Sequence, residues 1–351
     1  MESSKISDLI RSHLLESGNP VILDDKVYLC WLGDHPPSII SDLNYWDEEH
    51  PIRFEPLEDD LWVYPLELPW GSYIEYAFLR NKRRIHDPHN PHRTPNGMGK
   101  FNHFFTFPSS EMEYFLPKEP PTLKGSLTNL SLPTNQLLAG KKRKVHFYQP
   151  PTKEPVPLMV MWDGKEYLER AFLPHLVEEL VEMGKIQPIA LALIENGRRY
   201  RTMEYFCSEA TLGFMQMAVI PAALQHLNIL SPYDEKGSLA IGGASLGGLM
   251  ALYAALRFPQ WFGKVLCQSG AFAIGDQKLV VWSLIEHQDT LPLKIWLDCG
   301  MFESLLETNR QMADLLKHKG YEFQYKESPS GHNYPAWRRL LPEALINLFG
   351  Q

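Results

Sequence analysis

The feature that most restricts the fold is IGGASLGG at Ile241–Gly248, which joins a short apolar run, SLAI, to LGGLMALYAALRF, which reads as an amphipathic helix. It contains Gly243-Ala244-Ser245-Leu246-Gly247, a G-x-S-x-G spacing that recurs by chance and gains meaning from its flanks. A strand that turns within one residue into a helix needs glycines beside the turn, because side chains there would hold the two elements apart. A serine at such a turn stands at the carboxyl edge of a sheet, and the N–H of Leu246 faces whatever binds there. The pattern predicts a strand over Leu239–Gly242, a helix over Leu246–Arg257 and Ser245 as nucleophile. The alternative is a serine that only caps the helix.

The rest of the chain beyond Lys124 supports a strand–turn–helix setting. Lys144–Tyr148, Leu158–Met161, Ile189–Ile194, Lys264–Gln268, Lys294–Asp298 and Glu322–Glu327 read as strands. Helical stretches fall at Ala171–Gly184, up to Leu227, and at Glu303–Lys319. IALALI is apolar throughout, as in a strand covered on both faces. Alternating units of this length imply an α/β fold with a mostly parallel central sheet between helices.

The first part of the chain reads differently. Lys26–Leu32, Leu61–Leu66, Tyr73–Leu79 and Phe101–Phe107 are aromatic and β-branched runs separated by turn residues, the pattern of a small all-β sandwich. Met1–Gly18 reads as an amphipathic helix too polar for a secretory leader. Pro- and Glu-rich sequence over Pro108–Thr122 marks a linker. The expected plan is a sandwich over residues 1–110, a linker over 111–123 and an α/β domain over 124–351, and 351 residues accommodate two domains.

A formal charge of -8 leaves no global basic field for nucleic acid or anionic membrane, and no run of 18 apolar residues predicts a span. Cys30, Cys207, Cys267 and Cys299 match neither a zinc site nor a disulfide framework, and scattered thiols suit the cytoplasm. His86, His89 and His92 recur every third residue, but Pro88 and Pro91 extend that loop and point them apart, so no metal is expected. No cofactor is expected either, and the oligomeric state is not encoded in any visible pattern.

A serine nucleophile needs a base. His332, in Ser330-Gly331-His332-Asn333-Tyr334, follows the last predicted strand on a glycine turn, where a loop at the sheet's carboxyl edge delivers an imidazole. Its orienting carboxylate should come from beyond the penultimate strand. Glu303 lies on such a loop and is favoured over Asp298, which ends the strand KIWLD; Glu303 also suits a helix N-terminus. Leu246 N–H supplies one oxyanion donor. The second is expected from Lys165, or from Gly164, in the loop Met161-Trp162-Asp163-Gly164-Lys165, with Asp163 bracing that loop.

WDGKEY, ENGRRYRTMEY, GGASLGG, QSGAF, GMFES with TNRQMADLL, and GHNYPAWRRLLPEAL occur in an order that resembles the enterochelin esterase group, within the esterase-D-like branch of α/β hydrolases, over nearly all of Lys124–Leu348. The resemblance implies an α/β-hydrolase fold and a serine esterase acting through Ser245, His332 and an acid. It departs at SGHNYPAWR, where Asn333 stands in place of the usual aspartate. Ser72–Phe78 and Arg84–Gly97 resemble the early-set immunoglobulin-like domain of these esterases, related to carbohydrate-binding modules. A scaffold role is favoured there over glycan binding by Trp31, Trp46, Trp62 and Trp70.

Arg198, Arg199 and Arg201 follow the IALALI strand at the edge where open α/β sheets bind ligands. Arg201 and Glu204 fall where the resemblance places an Arg–x–x–Glu pair. These four residues would hold a small anionic ester substrate, such as a ferric siderophore trilactone; the alternative is that Arg201 and Glu204 only brace a loop through an i,i+3 ion pair. Two other functions stay open: a general carboxylesterase on acetyl, feruloyl or thioester substrates, and a non-catalytic glycan-binding protein.

Overall fold

The computed structural model describes residues 2–115 and 120–350, and the chain divides into two compact units. One is Met1–Lys118 with two later segments, Gly300–Ser304 and Ser328–Ala336; the other is Glu119–Cys299, Leu305–Glu327 and Trp337–Gln351.

In the first unit, Val21–Leu23, Lys26–Leu32, Leu61–Leu66 and Glu55–Glu58 form an antiparallel sheet in that spatial order. A second antiparallel sheet runs Ile52–Arg53, Ser38–Ser41, Ser72–Arg80, Phe101–Phe107, Arg93–Pro95, with Arg83–Ile85 also paired to Ser72–Arg80. Val27, Leu29 and Leu66 of one sheet and Ile39, Ile74, Phe78 and Phe105 of the other share one core, so the unit is a sandwich. Strand alternation sends Cys30 to the opposite face, where Ile10 and Leu14 of the Glu2–Ser17 helix cover it with Val21, Leu61 and Val63. Within the stretch read as a linker, Met112–Phe115 form a helical turn whose Phe115 ring lies 4.3 Å from that of Tyr73; residues 116–119 lie outside the described ones.

The second unit is built on eight strands in the order Ser126–Pro133, Lys142–Gln149, Ala190–Ile194, Leu158–Trp162, Leu239–Ala244, Phe262–Gln268, Lys294–Gly300, Glu322–Ser328. The first three pair antiparallel, and pairing is parallel from Ala190–Ile194 through Lys294–Gly300. The sheet is therefore mixed. Its central strands are buried along their whole length, which is why their sequences are apolar without alternation. Leu246–Arg257 is buried on nearly every side and packs in the same core as Val160, Ile241 and Val265. No single helix among the described residues is long and apolar enough to cross a membrane.

Candidate active site

Ser245 joins the fully buried strand Leu239–Ala244 to the helix Leu246–Arg257 with φ 59° and ψ −123°, a conformation that a non-glycine residue holds only when its surroundings impose it. Those surroundings are backbone hydrogen bonds. Ser245 N–H donates to the Gln268 carbonyl at 2.8 Å, and the Ser245 carbonyl accepts from Leu249 and Ala271 N–H, both at 3.1 Å. The junction closes because Gly243 and Gly247 touch: a Cβ on Gly243 would lie 2.6 Å from the Gly247 carbonyl carbon. The Ser245 hydroxyl makes no capping bond to the helix, so the capping alternative does not describe this turn.

The neighbouring parallel strand ends at Trp162, and Asp163, at φ 56° and ψ 41°, turns the chain into the helix Gly164–Glu169. Gly164 is required there, since a Cβ would overlap the Leu193 and Ile194 backbone. Met161 pairs with Gly242, so both helices start at the same sheet edge, and a Cβ on Gly247 would lie 3.0 Å from Asp163 Oδ2. The leading N–H groups of each helix, those of Gly164 and Lys165 in one and Leu246 in the other, have no acceptor within their own helix. Two helix N-termini side by side favour a developing negative charge. Asp163, 2% exposed, accepts from Asn196 Nδ2 at 2.7 Å and from Arg201 Nε and Nη2 at 2.7 and 2.6 Å, and Arg201 Nη2 also donates to the Ala244 carbonyl at 3.2 Å. The bracing role read for Asp163 is thus visible in its contacts, and Arg201 ties the Asp163 turn to the residue before Ser245.

In the first unit, Glu303 and His332 meet: Glu303 Oε2 lies 2.6 Å from His332 Nδ1. The Glu303 side chain is 1% exposed and that of His332 36%, so a buried carboxylate faces a partly exposed imidazole. Glu303 Oε1 accepts from Gly300 N–H at 2.8 Å, and Phe302 N–H donates to the Ser330 carbonyl at 3.0 Å, binding the two short segments together. The following helix begins at Leu306 rather than at Glu303, which leaves the carboxylate in the preceding turn instead of on the helix dipole. Asp298 is buried elsewhere, its Oδ2 accepting from Trp296 Nε1 at 2.8 Å and Gln268 Nε2 at 3.1 Å.

The i,i+3 pairing of Arg201 with Glu204 does not form. Glu204 faces inward and makes a bidentate bridge to Arg143, with both contacts 2.7 Å and both side chains 6% exposed, while Arg201 turns to Asp163. A carboxylate buried that deeply needs a guanidinium fork, and a neighbour on its own short helix offers poorer geometry. Arg198 and Arg199 are exposed, with the Arg199 guanidinium 4.7 Å from the Tyr200 ring centroid.

Sequence reading missed Asp42. This carboxyl, 1% exposed, accepts from Trp46 Nε1 at 3.0 Å, Glu75 N–H at 2.7 Å and Asn333 Nδ2 at 3.4 Å. Burial, and then the Glu75 carboxylate beside it, pushes its pKa well above the usual carboxylate range. It sits at the end of the Ser38–Ser41 strand, and no local pattern marks it.

A family model described as "Putative esterase" matches residues 136–348. The iron(III) enterobactin esterase of Dickeya dadantii is 29% identical over 203 residues, covering 52% of this chain and 45% of that protein. The protein of the same description from Escherichia coli O6:H1 is 23% identical over 276 residues, covering 76% and 67%. This chain thus spans about half the length of the first and two thirds of the second. The crystal structure of the ferric enterobactin esterase of Salmonella typhimurium superposes with a TM-score of 0.77 at 18% identity, over 97% of this chain and 98% of that one, a likeness of fold.

Proposed function

The chain belongs to this esterase family, and from that premise we propose that it is a serine carboxylic-ester hydrolase that opens the trilactone of a ferric siderophore or a related ester. The observation that carries the reading is the strained Ser245 turn, whose hydroxyl does not cap its helix although the residue occupies the N-cap. In the proposed cycle His332 takes the Ser245 proton as the hydroxyl oxygen attacks the ester carbonyl. Glu303 holds the imidazole through Nδ1 and stabilises the imidazolium. The N–H groups of Leu246 and of Lys165 or Gly164 receive the oxyanion. His332 then protonates the leaving alkoxide, and water repeats the sequence on the acyl-enzyme to release the acid.

Arg198 and Arg199 supply the exposed positive charge for an anionic substrate, whereas Arg201 and Glu204 serve through Asp163 and Arg143 to shape the site. We assign the N-terminal sandwich to an early-set immunoglobulin-like scaffold domain of about the first 110 residues, a linker to 111–123 and the α/β-hydrolase domain to 124–351. We place its work in the reducing cytoplasm, which four cysteines scattered along the chain suit. The test compares kcat/KM on a catecholate trilactone, iron-loaded and iron-free, with that on acetyl and feruloyl esters. A trilactone preference of about a hundredfold or more supports the siderophore reading, and a preference for the simple acyl esters overturns it.

A further inference from the structure

We infer that Asp42 is a positioning residue for the acid–base pair: from the N-terminal sandwich it fixes the Gly331–Asn333 turn that carries His332. This rests on the proposed esterase reading and adds a residue to it.

The segments Gly300–Ser304 and Ser328–Ala336 lie far along the chain yet cluster with the sandwich. Tyr73 N–H donates to the Pro329 carbonyl at 3.1 Å, and Tyr73 bridges Ser330 in parallel fashion, so the start of the Ser72–Arg80 strand extends onto the turn before His332. Phe302, next to Glu303, packs against the sandwich core. Asp42 is the polar counterpart of these contacts. It lies so close to Gly331 that any side chain at 331 would overlap its carboxyl group. On the other side of His332, Asn333 divides its amide: Oδ1 accepts from Ala336 N–H at 3.0 Å as a helix cap, and Nδ2 reaches Asp42.

One side chain is thus packed against residue 331 and bonded to residue 333, which restricts the backbone of the residue between them. That residue is His332. Asp42 is itself held by Trp46 and the Glu75 N–H, so the restraint traces back to the sandwich.

The test uses the full chain with three variants. Asp42→Ala removes the contact, Asp42→Asn keeps its shape without charge, and Asn333→Asp keeps the helix cap while replacing the donor to Asp42 with a carboxylate. Two readouts are taken: kcat and KM on a p-nitrophenyl ester, and the low-field proton resonance of His332 Nδ1–H, assigned by its loss in His332→Ala. Asp42→Ala and Asn333→Asp are expected to lower kcat by about tenfold to a hundredfold with KM within about twofold, and Asp42→Asn to retain most of kcat. The low-field resonance should persist in Asp42→Asn and broaden or shift in the other two. Asn333→Asp preserves the cap and decides the matter if Asp42→Ala does not fold. Wild-type kcat in Asn333→Asp, or an unaltered resonance in it, overturns the inference. Failure of the esterase reading shows separately, as a wild type that is inactive and takes no fluorophosphonate on Ser245; the resonance then decides on Asp42 alone.

Discussion

Glu303 Oε2 lies 2.6 Å from His332 Nδ1, whereas the Asp298 carboxylate is committed to Trp296 and Gln268. The two acids should therefore differ sharply on substitution. Glu303→Ala is expected to lower kcat on the order of 10³ to 10⁴-fold with little change in KM, because the imidazole loses its orienting partner. Asp298→Asn should cost stability more than kcat. Steady-state kinetics with melting curves check this, and the reverse ranking would reassign the acid.

The serine turn depends on backbone contact between Gly243 and Gly247, with no flexible side chain to yield. Gly243→Ala is expected to lower stability by about 1–3 kcal/mol and to slow fluorophosphonate labelling of Ser245, because the added methyl displaces the helix start. Denaturant unfolding and timed labelling measure the two effects.

Arg143 and Glu204 form a buried pair that either single substitution would leave as an isolated charge. Glu204→Leu is expected to cost about 3–5 kcal/mol, and Arg143→Leu a similar amount. The double variant should recover much of that loss. Additive losses in a double-mutant cycle would show that the pair is not coupled.

Burial lowers the proton affinity of His146 and His103, in His146 against the opposing pull of Glu195. His103 Nε2 accepts from Asp87 N–H at 3.1 Å, which requires the unprotonated atom. Both folded pKa values lie below the usual 6.5 of the unfolded chain, so below that pH protons bind the unfolded state first. The stability these groups contribute is complete above pH 6.5 and lost as pH falls toward their folded values. Melting temperature should drop between pH 7.5 and 5.5, and His146→Gln should flatten part of that slope.

The features legible in the sequence are those encoded locally. The glycine-flanked serine, the apolar run Ala190–Ile194 and the strands Lys26–Leu32, Leu61–Leu66 and Phe101–Phe107 each carry their signal within a few residues. The half-exposed strand Ser126–Pro133 was hidden because its leucines, at 127, 130 and 132, break the two-residue period. The helix Tyr334–Phe349 was masked by Pro342 in its interior. Arg143 and Glu204 are 61 positions apart, and Asp42 and Asn333 are 291 apart. No window along the chain contains either pair, so only the folded arrangement identifies Arg201 as a brace and Asp42 as a neighbour of the His332 turn.

The central claim is that Ser245 is the nucleophile of an ester hydrolase, and the most direct measurement is hydrolysis of short-chain p-nitrophenyl esters by the wild type beside Ser245→Ala. The wild-type rate is expected to fall on the order of 10⁴-fold or more on removing the hydroxyl. Equal activity in the two proteins would contradict it, because the chemistry would then run through some other group.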